Sequence, residues 1–365
     1  MKFFLYPLLC LCVVPLHGAL DDSLQALAAV GHEGKGNEAA SAAWKDVVKA
    51  GPAALPALLA ATGKGGPVAD NWLRVAGDTI VQNALSHGQA LPVAEVEAFL
   101  KDTAQAAAAR RLAFDLLKQA DAARADAVEP SLSTDPVQEL RRGAVQRLIE
   151  DAQAKQGEAA SAAYLAALEV VRDEDQTRVI AGELRKRSVP VDLPKHFGFI
   201  TQWQVIGPFE NTERKGFETV FPPEKEIRLE AAYEGKSGSV KWQPFASGDE
   251  YGKLDFNKPL GMLKEVTAYA VATFDSTEER DAEIRLGCKD GWKVWLNGQF
   301  LFGRDEYHRG QQMDQYKLRC HLKQGTNTIL VKCCQNEQKE TWTVEWEFQL
   351  RVCDSAGTAI LTAAK

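Results

Sequence analysis

Paired carboxylates are the first residues whose type and spacing could do chemistry. Glu345 and Glu347 alternate along one predicted strand, next to tryptophans. Glycosidases need two carboxylates about 5 to 10 Å apart. Alternating charges on a strand are also what a solvent-facing sheet surface requires. We therefore interpret this pair as a solvated face, and the sequence predicts no catalytic residue.

Tryptophans give a clearer indication of ligand binding. Six of the eight lie in the second half of the chain, and a tryptophan face can stack on the apolar face of a sugar ring. Trp292 alternates with Val294 and is predicted to point into the core, so Trp295 should face outward and contact a ligand. The alternative is that a neighbouring loop or the helical domain covers Trp295, because large aromatic side chains are mostly buried.

Polar residues near this tryptophan are the other candidate ligand-binding residues. Asn297 lies in the turn that follows Trp295, and a polar loop begins shortly afterwards at Arg304. Loops held by rigid strands often carry binding residues. The sequence therefore predicts a binding rim made of Trp295, Asn297, Arg304, Asp305 and Tyr307.

Common catalytic and cofactor motifs do not occur in the sequence. GxSxG, HExxH, P-loop and GxGxxG patterns are missing, and so are the cysteine and histidine spacings of zinc or haem sites. His308 and His321 have polar neighbours, and we interpret them as surface or cap residues. We expect no cofactor and no metal.

Length and charge set the broad class of protein. The chain has 365 residues, of which 45% are hydrophobic and 25% charged, which is typical of globular domains. At roughly 150 residues per domain, two domains are expected. The net charge of -7 provides no overall positive field for a phosphate backbone, so nucleic-acid binding is not expected.

The first 20 residues are predicted to be a secretory signal peptide. Lys2 precedes an apolar run from Phe3 to Leu16, and small residues follow it. A membrane anchor is the alternative, but this run is shorter than the roughly 20 residues that span a bilayer. We expect a secreted or periplasmic protein with no membrane span in the mature chain.

The cysteines beyond the signal peptide leave two interpretations open. Their number is odd, and neighbouring cysteines on a strand point to opposite faces. They are either buried free thiols or include one or two disulfides, which export permits. The five residues are Cys288, Cys320, Cys333, Cys334 and Cys353.

Hydrophobic periodicity divides the chain into a helical part and a strand part. Residues 21–190 are rich in alanine, with apolar residues at helical spacing. Within them Arg110-Arg111-Leu112-Ala113 recurs as Arg141-Arg142-Gly143-Ala144, and such repetition is typical of stacked helix pairs. A plain helical bundle is the alternative. Residues 191–198 are predicted to be a linker.

Alternation with period two begins after the linker and indicates an antiparallel β-sandwich over residues 199–355, followed by a tail at 356–365. The clearest strand is predicted at 342–352, with Trp342 and Trp346 on its core face. Asn297-Gly298 predicts a type I′ hairpin because both turn residues need positive φ. The other predicted strands cover 200–206, 239–245, 266–274, 282–288, 292–302, 316–322 and 328–334.

Both halves resemble known families. Residues 135–145, an Asp-Pro start followed by an arginine pair, resemble HEAT-like helical repeats. Residues 286–299 and 322–332 resemble galactose-binding-like jelly rolls, which include the sugar-binding domains of large β-galactosidases and, more distantly, PA14 modules. The chain also resembles secreted bacterial proteins of unassigned function, in which helical repeats precede segments similar to residues 203–209 and 221–224. This resemblance implies a multidomain α and β protein, an all-α helical-repeat domain followed by an antiparallel jelly roll.

One position departs from the resemblance. In sugar-binding PA14 modules two successive aspartates hold a calcium ion, which requires an oxygen-rich site. Lys289-Asp290 stands there in this chain, so calcium-dependent sugar binding is not expected. We interpret Asp290-Gly291 as a turn that enters a strand.

The sequence thus predicts an exported, non-catalytic binding protein whose partner is a glycan or a cell-envelope protein. The helical repeats would serve as its scaffold. Two alternatives remain open: a polysaccharide-active enzyme or enzyme subunit with its site at the domain seam, and a structural assembly module. One fold hosts many functions, so the resemblance alone does not choose among them.

Overall fold

The computed structural model describes residues 16–363. Internal contacts divide the chain into two compact units, Met1–Val171 and Arg172–Lys365. The first unit is helical and the second consists mainly of antiparallel strands, so the predicted combination of an α domain and a β domain is confirmed. Residues 1–15 of the predicted signal peptide lie outside the described residues, and residues 16–20 form the start of the first helix.

Most helices of the first unit pack around one apolar core formed by residues between 24 and 144, because alanine and leucine recur on one face of these helices. Its helices are α1 (Leu16–Ala28), α2 (Asn37–Ala50), α3 (Leu55–Ala61), α4 (Pro67–Ser86), α5 (Val93–Lys101), α6 (Ala107–Ala120), α7 (Ala122–Val128), α8 (Gln138–Gln153) and α9 (Gly157–Val170). No described helix is both long and apolar enough to cross a membrane.

The repeated arginine pairs have a structural role in this unit. Arg110 on α6 is buried, and its guanidinium binds the buried Asp135 carboxylate through two contacts, one of them 2.8 Å between Nη1 and Oδ1. The equivalent arginine on α8, Arg141, donates from Nη1 to the Asp135 carbonyl oxygen at 2.8 Å. The first arginine of each pair therefore ties its helix, α6 or α8, to Asp135 in the segment that precedes α8.

The second unit begins with two helices that precede its strands. Helices α10 (Glu174–Lys186) and α11 (Leu193–Phe197) contribute Ala181, Leu193 and Phe197 to a buried cluster with Phe199. Residues 191–198, the expected linker, thus include α11, whose first turn is capped by the Asp192 side chain. These contacts explain why both helices belong to the second unit, which begins at Arg172.

The remaining elements of the second unit are the strands and two short helices. They are β1 (Gln202–Glu210), α12 (Pro222–Lys225), β2 (Ala232–Gly235), β3 (Gly238–Lys241), β4 (Gln243–Ala246), β5 (Leu254–Asp255), α13 (Asn257–Leu260), β6 (Val266–Ser276), β7 (Arg280–Cys288), β8 (Gly291–Leu296), β9 (Gln299–Arg304), β10 (Tyr316–Leu322), β11 (Gly325–Gln335) and β12 (Glu347–Cys353).

Two antiparallel sheets share an apolar core. Their strand orders are β4-β1-β6-β11-β8-β9 and β10-β7-β12-β5, and β2 and β3 form a separate hairpin. Alternate residues from both sheets, among them Trp292, Ile284 and Phe348, form one buried cluster. This is the arrangement of a sandwich, in which inward-facing residues alternate with outward-facing ones.

Several predictions of local structure are confirmed. Asn297 and Gly298 have φ of 53° and 80° in the tight turn between β8 and β9, and β10 covers the predicted residues 316–322. One strand was predicted too long. β12 begins at Glu347 rather than 342, because residues 341–343 form a single 3-10 turn that carries Trp342 out of the core to 55% exposure.

A second apolar cluster lies on the outer face of the six-stranded sheet. It joins Trp295, Tyr269 and Leu330 of the sheet to Val240 and Trp242, with Phe221, Ile227 and Tyr233 packed against it. Segment 221–242 therefore covers this face. Lys332 fastens the segment, since its buried ammonium group donates to the carbonyl oxygens of Phe217 and Thr219 at 3.0 and 2.8 Å and to Glu224 Oε1 at 2.8 Å.

Candidate functional site

Four neighbouring strands of the six-stranded sheet each have one terminus on the same side of the sheet. β1 ends at Glu210, β6 begins at Val266, β11 ends at Gln335 and β8 begins at Gly291. Because these neighbours are antiparallel, the loops that leave these ends meet there. We call this region the loop end; it consists of residues 211–218, 261–265, 289–290, 305–315 and 336–346.

Hydrogen bonds hold the loop end together. Asn211 N donates to Glu265 O at 2.9 Å, and Glu265 N donates to Asn336 O at 3.0 Å. The buried Asn211 side chain donates from Nδ2 to Gln335 O at 2.9 Å and to the Tyr307 hydroxyl oxygen at 3.3 Å. These bonds connect segments that are distant in the sequence, so the geometry of the loop end depends on the whole sandwich.

Asp290 is the most unusual residue of the loop end. It is 1% exposed, and neither carboxyl oxygen has a hydrogen-bond partner. His308 Nδ1 lies 3.6 Å from Asp290 Oδ1 and is itself without a hydrogen bond. That separation is too long for a hydrogen bond. A buried polar group without a partner costs free energy, so its presence calls for an explanation.

The orientation of the His308 ring follows from its other nitrogen. Nε2 lies 3.1 Å from Asn336 Oδ1. The Asn336 amide is itself fixed, because Gln338 N donates to Oδ1 and Nδ2 donates to Gln338 Oε1, both at 3.1 Å. Oδ1 is therefore an acceptor, Nε2 carries the proton, and the lone pair of neutral Nδ1 faces Asp290.

Burial shifts the titration of both groups toward the neutral forms. It raises the pKa of the Asp290 carboxyl well above its usual range, against the opposing effect of Lys264 and Lys289. It also lowers the pKa of His308, although the contact with Asn336 acts in the opposite direction. Burial therefore favours the neutral form of each group, because removal from water penalises each charged form.

Trp342 places an exposed aromatic surface beside this buried pair. Its ring centroid lies 5.3 Å from that of His308 with an angle of 83° between the planes, so one ring packs edge-on against the other. The side chain is nevertheless 55% exposed. An exposed indole supported by a fixed neighbour is suited to stacking against a ligand.

Charged residues around Trp342 are paired with one another. Arg214 Nε donates to Glu337 Oε2 at 3.0 Å, and the Arg214 guanidinium carbon lies 5.1 Å from the centre of the Tyr307 ring. Lys289 forms an ion pair with Glu345. The Arg214 and Lys289 charges of the loop end are therefore each neutralised by a glutamate.

The backbone of the loop end is strained at several positions. Five of its residues other than glycine have positive φ: Glu213 at 56°, Arg214 at 62°, Glu265 at 56°, His308 at 58° and Asp314 at 57°. Such conformations cost free energy for residues with a Cβ atom. They are found preferentially at functional sites, where surrounding contacts hold them in place.

Trp295 does not lie where the sequence prediction placed it. It is 7% exposed and belongs to the outer apolar cluster, packed with its centroid 5.6 Å from that of Phe300. The expected outward orientation is correct, but segment 221–242 covers that face. The alternative that a neighbouring segment covers Trp295 is therefore correct, and Trp295 offers no open surface to a ligand.

The other predicted residues fall into two separate places. Asn297 lies at the hairpin end of β8, where its Oδ1 accepts from Thr328 N and its Nδ2 donates to Asn327 Oδ1, both at 2.9 Å. Arg304 is exposed at the end of β9, with its guanidinium carbon 5.7 Å from the centre of the Phe302 ring. Neither residue belongs to the outer apolar cluster that contains Trp295.

Asp305 and Tyr307 are brought together at the loop end. A Cβ atom built on Gly291 would lie 3.3 Å from the Tyr307 hydroxyl oxygen and 3.5 Å from Asp305 Oδ1, so glycine lets both approach the start of β8. Burial raises the pKa of the Tyr307 hydroxyl and of the Asp305 carboxyl. These two residues border the Asp290 site, so the predicted rim is divided between the two ends of β8.

Sequence reasoning missed three residues of the site. Asp290-Gly291 was interpreted as a turn, His308 as a surface residue and Trp342 as part of the core. One feature of the sequence could have indicated the site: a strand begins at Gly291, so the preceding aspartate lies in a loop at the end of the sheet. Nothing local indicated that His308 and Trp342 approach this edge, because both come from long loops.

Metal binding and paired-carboxylate chemistry have little support in the described residues. Glu345 and Glu347 are each paired with a lysine, and the Glu347 Oε1 to Lys253 Nζ distance is 2.8 Å. Within residues 16–363 no group of three or more histidine, cysteine, aspartate or glutamate side chains could hold a metal ion.

The helical unit has a shallow polar depression between α4 and α6. One cavity of about 380 Å³ is lined by residues that include Asp70, Arg74, Arg111 and Asp115. Arg74 is engaged within α4, since it donates to Asn71 Oδ1 at 2.8 Å. No aromatic residue lines this cavity, so it lacks the floor expected of a sugar-binding groove.

Comparison with known proteins adds little. No family model and no curated protein matches the chain. Among solved structures it is similar to a β-glucosidase from Kluyveromyces marxianus in complex with glucose (10% identity, TM-score 0.25, 44% of this chain and 17% of that one). It is also similar to a GH31 α-xylosidase from Xanthomonas citri (6% identity, TM-score 0.25, 43% and 18%).

A third similarity covers 95% of both chains, with 11% identity and a TM-score of 0.21. It is to an alkylpurine DNA glycosylase from Pseudomonas fluorescens, bound to DNA containing an abasic site analog. The chain spans less than a fifth of the length of the two glycosidases. Similarity at this level establishes no shared activity or substrate.

Proposed function

We propose that the chain is an exported, non-catalytic binding protein, and that the loop end of its sandwich recognises a glycan presented at a cell envelope. The observation that carries the proposal is Trp342, an indole 55% exposed on a loop whose neighbours are fixed by hydrogen bonds. The galactose-binding-like jelly roll and the HEAT-like scaffold are parts of the same proposal.

The chemistry of a sugar agrees with that of the loop end. A sugar ring has an apolar face that suits an indole and hydroxyl groups that need donors and acceptors. Trp342 would supply the stacking surface, while the carboxylate and guanidinium of the Glu337 and Arg214 pair lie among the exposed polar groups of the same loops. Because these charges are paired, the surface favours a neutral, hydroxyl-rich ligand over a highly charged one.

The ionisable groups support binding rather than turnover. The Asp290 and His308 side chains are 0% and 4% exposed, so a polysaccharide cannot touch them in this conformation. General acid-base catalysis needs a group within hydrogen-bond reach of the substrate. Asp290 and His308 are placed to support the surface rather than to transfer protons to a ligand.

A glycan array followed by calorimetric titration tests the proposal. The purified chain is expected to bind a subset of neutral glycans, and Trp342→Ala is expected to weaken that binding at least about tenfold, which corresponds to about 1.4 kcal/mol. Phe300→Ala is the matched control. Phe300 is also 55% exposed but pairs with Trp295 near the hairpin end of β8.

Two outcomes would contradict the proposal. One is a wild-type chain that binds no glycan on the array. The other is a Trp342→Ala variant that binds as tightly as wild type while Phe300→Ala loses affinity. Release of a product sugar during the titration would contradict the non-catalytic part.

A further inference from the structure

We propose that Cys288 and Cys333 are the disulfide-forming pair of this chain, and that their bond joins the two sheets of the sandwich. Cys288 ends β7 in the four-stranded sheet, and Cys333 lies in β11 of the six-stranded sheet. Their Sγ atoms are 3.7 Å apart. Both side chains point into the shared core, where they are 1% and 0% exposed.

The other described cysteines lack this arrangement. Cys334 follows Cys333 on the same strand and points to the opposite face, where its Sγ lies 3.4 Å from Thr267 Oγ1. Cys320 and Cys353 lie on β10 and β12. Among residues 16–363, Cys288 and Cys333 are the two cysteines whose sulfur atoms are in contact.

The approach needed for bond formation is small. A disulfide has an S–S length of about 2.0 Å, so the two sulfur atoms must move closer by less than 2 Å. Cys288 Sγ also lies 3.6 Å from Asp290 O and 3.5 Å from Glu347 O. These neighbours are backbone oxygen atoms at the end of β7.

The reaction needs an oxidant, which a small-molecule disulfide can supply. One cysteine thiolate attacks the small disulfide, a mixed disulfide forms and one small thiol leaves. The second cysteine thiolate then displaces the other small thiol. Overall the two cysteines lose two protons and two electrons, and the reagent becomes two thiols. An exported protein meets such reagents, whereas reducing compartments remove the bond.

Burial determines when the bond can form. It raises the pKa of the Cys333 thiol well above its usual range, and the thiolate is the reactive form. The folded, reduced chain should therefore react slowly, because the Cys333 thiol resists ionisation and both sulfur atoms are buried. The bond should form during folding, before the sheets close over it, and should resist reduction afterwards.

Peptide mapping under non-reducing conditions tests the pairing. The chain is unfolded, reduced and refolded in a glutathione buffer, and remaining thiols are alkylated before digestion with trypsin. Trypsin releases Cys288 in peptide 286–289 and both Cys333 and Cys334 in peptide 333–339. The Cys334→Ala variant removes this ambiguity and is the matched control, since Cys334 is as buried as Cys333.

The expected result is a cross-linked pair of these peptides, 2 Da lighter than their reduced sum, in wild type and in Cys334→Ala but not in Cys333→Ala. Reduction should lower the melting temperature of the refolded protein by at least about 5 °C. The proposal is overturned if Cys288 and Cys333 are both alkylated after refolding, or if either is bonded to another cysteine. The wild-type and Cys334→Ala maps decide this even where Cys333→Ala does not fold.

Discussion

Replacement of Asp290 by asparagine should stabilise the protein at neutral pH. Asparagine has nearly the shape of aspartate but cannot ionise, and its amide can donate a hydrogen bond toward His308 Nδ1, which now lies 3.6 Å from Asp290 Oδ1. The buried carboxyl has no hydrogen-bond partner for either oxygen. Leaving a buried polar group unsatisfied costs about 1–3 kcal/mol, and more for a charged one.

The pH dependence has a definite sign. Burial raises the pKa of Asp290 in the folded state, so the folded chain retains a proton that the unfolded chain, with a pKa of about 3.9, has released. Wild-type stability therefore falls as pH rises from about 4 through the raised folded pKa. The advantage of Asp290→Asn should be smallest near pH 3.5, where both states hold the proton, and reach about 1–3 kcal/mol at pH 7.

Urea unfolding at a series of pH values measures this difference. Most tryptophans lie in the second unit, so their fluorescence reports the unfolding of the sandwich. With a slope of about 2 kcal/mol/M, the midpoint of Asp290→Asn should lie roughly 0.5–1.5 M above wild type at pH 7. Glu218→Gln, at a side chain 81% exposed, is the control and should change stability by less than about 0.5 kcal/mol.

A destabilised Asp290→Asn variant at pH 7 would refute this reasoning. That result would mean that the carboxylate is ionised and paired with a protonated His308, so that the substitution removes an attraction instead of a penalty. A constant difference between variant and wild type across the pH range would equally show that titration of Asp290 is not coupled to folding.

Three further substitutions test the packing. Trp295→Ala should lower the free energy of unfolding by about 3–5 kcal/mol because the indole is buried. Calorimetric titration should show that its glycan affinity is unchanged. A variant that stays stable but loses glycan affinity would instead support Trp295 as the ligand contact, as the sequence predicted. Arg110→Ala leaves Asp135 buried without its partner and should cost about 3–5 kcal/mol, measured by thermal melting of the helical signal. Lys332→Met should destabilise the sandwich by a similar amount, seen as a lower urea midpoint, whereas an unchanged midpoint would show that Lys332 does not fasten segment 221–242.

The periodicity of the sequence predicted most of the architecture. Period-two alternation located β7 and β10 closely, and the Asn297-Gly298 pair located the hairpin, because backbone conformation at such a turn depends on only two residues. The pattern failed at Trp342. Alternation continues past the point where the backbone turns, so the side-chain pattern alone did not show where β12 begins.

The candidate site was harder to predict for a physical reason. Alternation gave the correct face for Trp295, but the segment that covers this face comes from 221–242 and is set by tertiary packing. Asp290 and Gly291 form an ordinary turn sequence. Their surroundings depend on His308, which follows β9, and on Asn336, which follows β11. Both residues approach the start of β8 because β9 and β11 are its two neighbours in the sheet.

The most direct test of the central claim is the affinity of Trp342→Ala and of Phe300→Ala, beside wild type, for a glycan captured on the array. Our account predicts that the Trp342 variant loses at least about tenfold in affinity while the Phe300 variant binds as wild type does. Equal affinity in all three proteins would contradict recognition at the loop end.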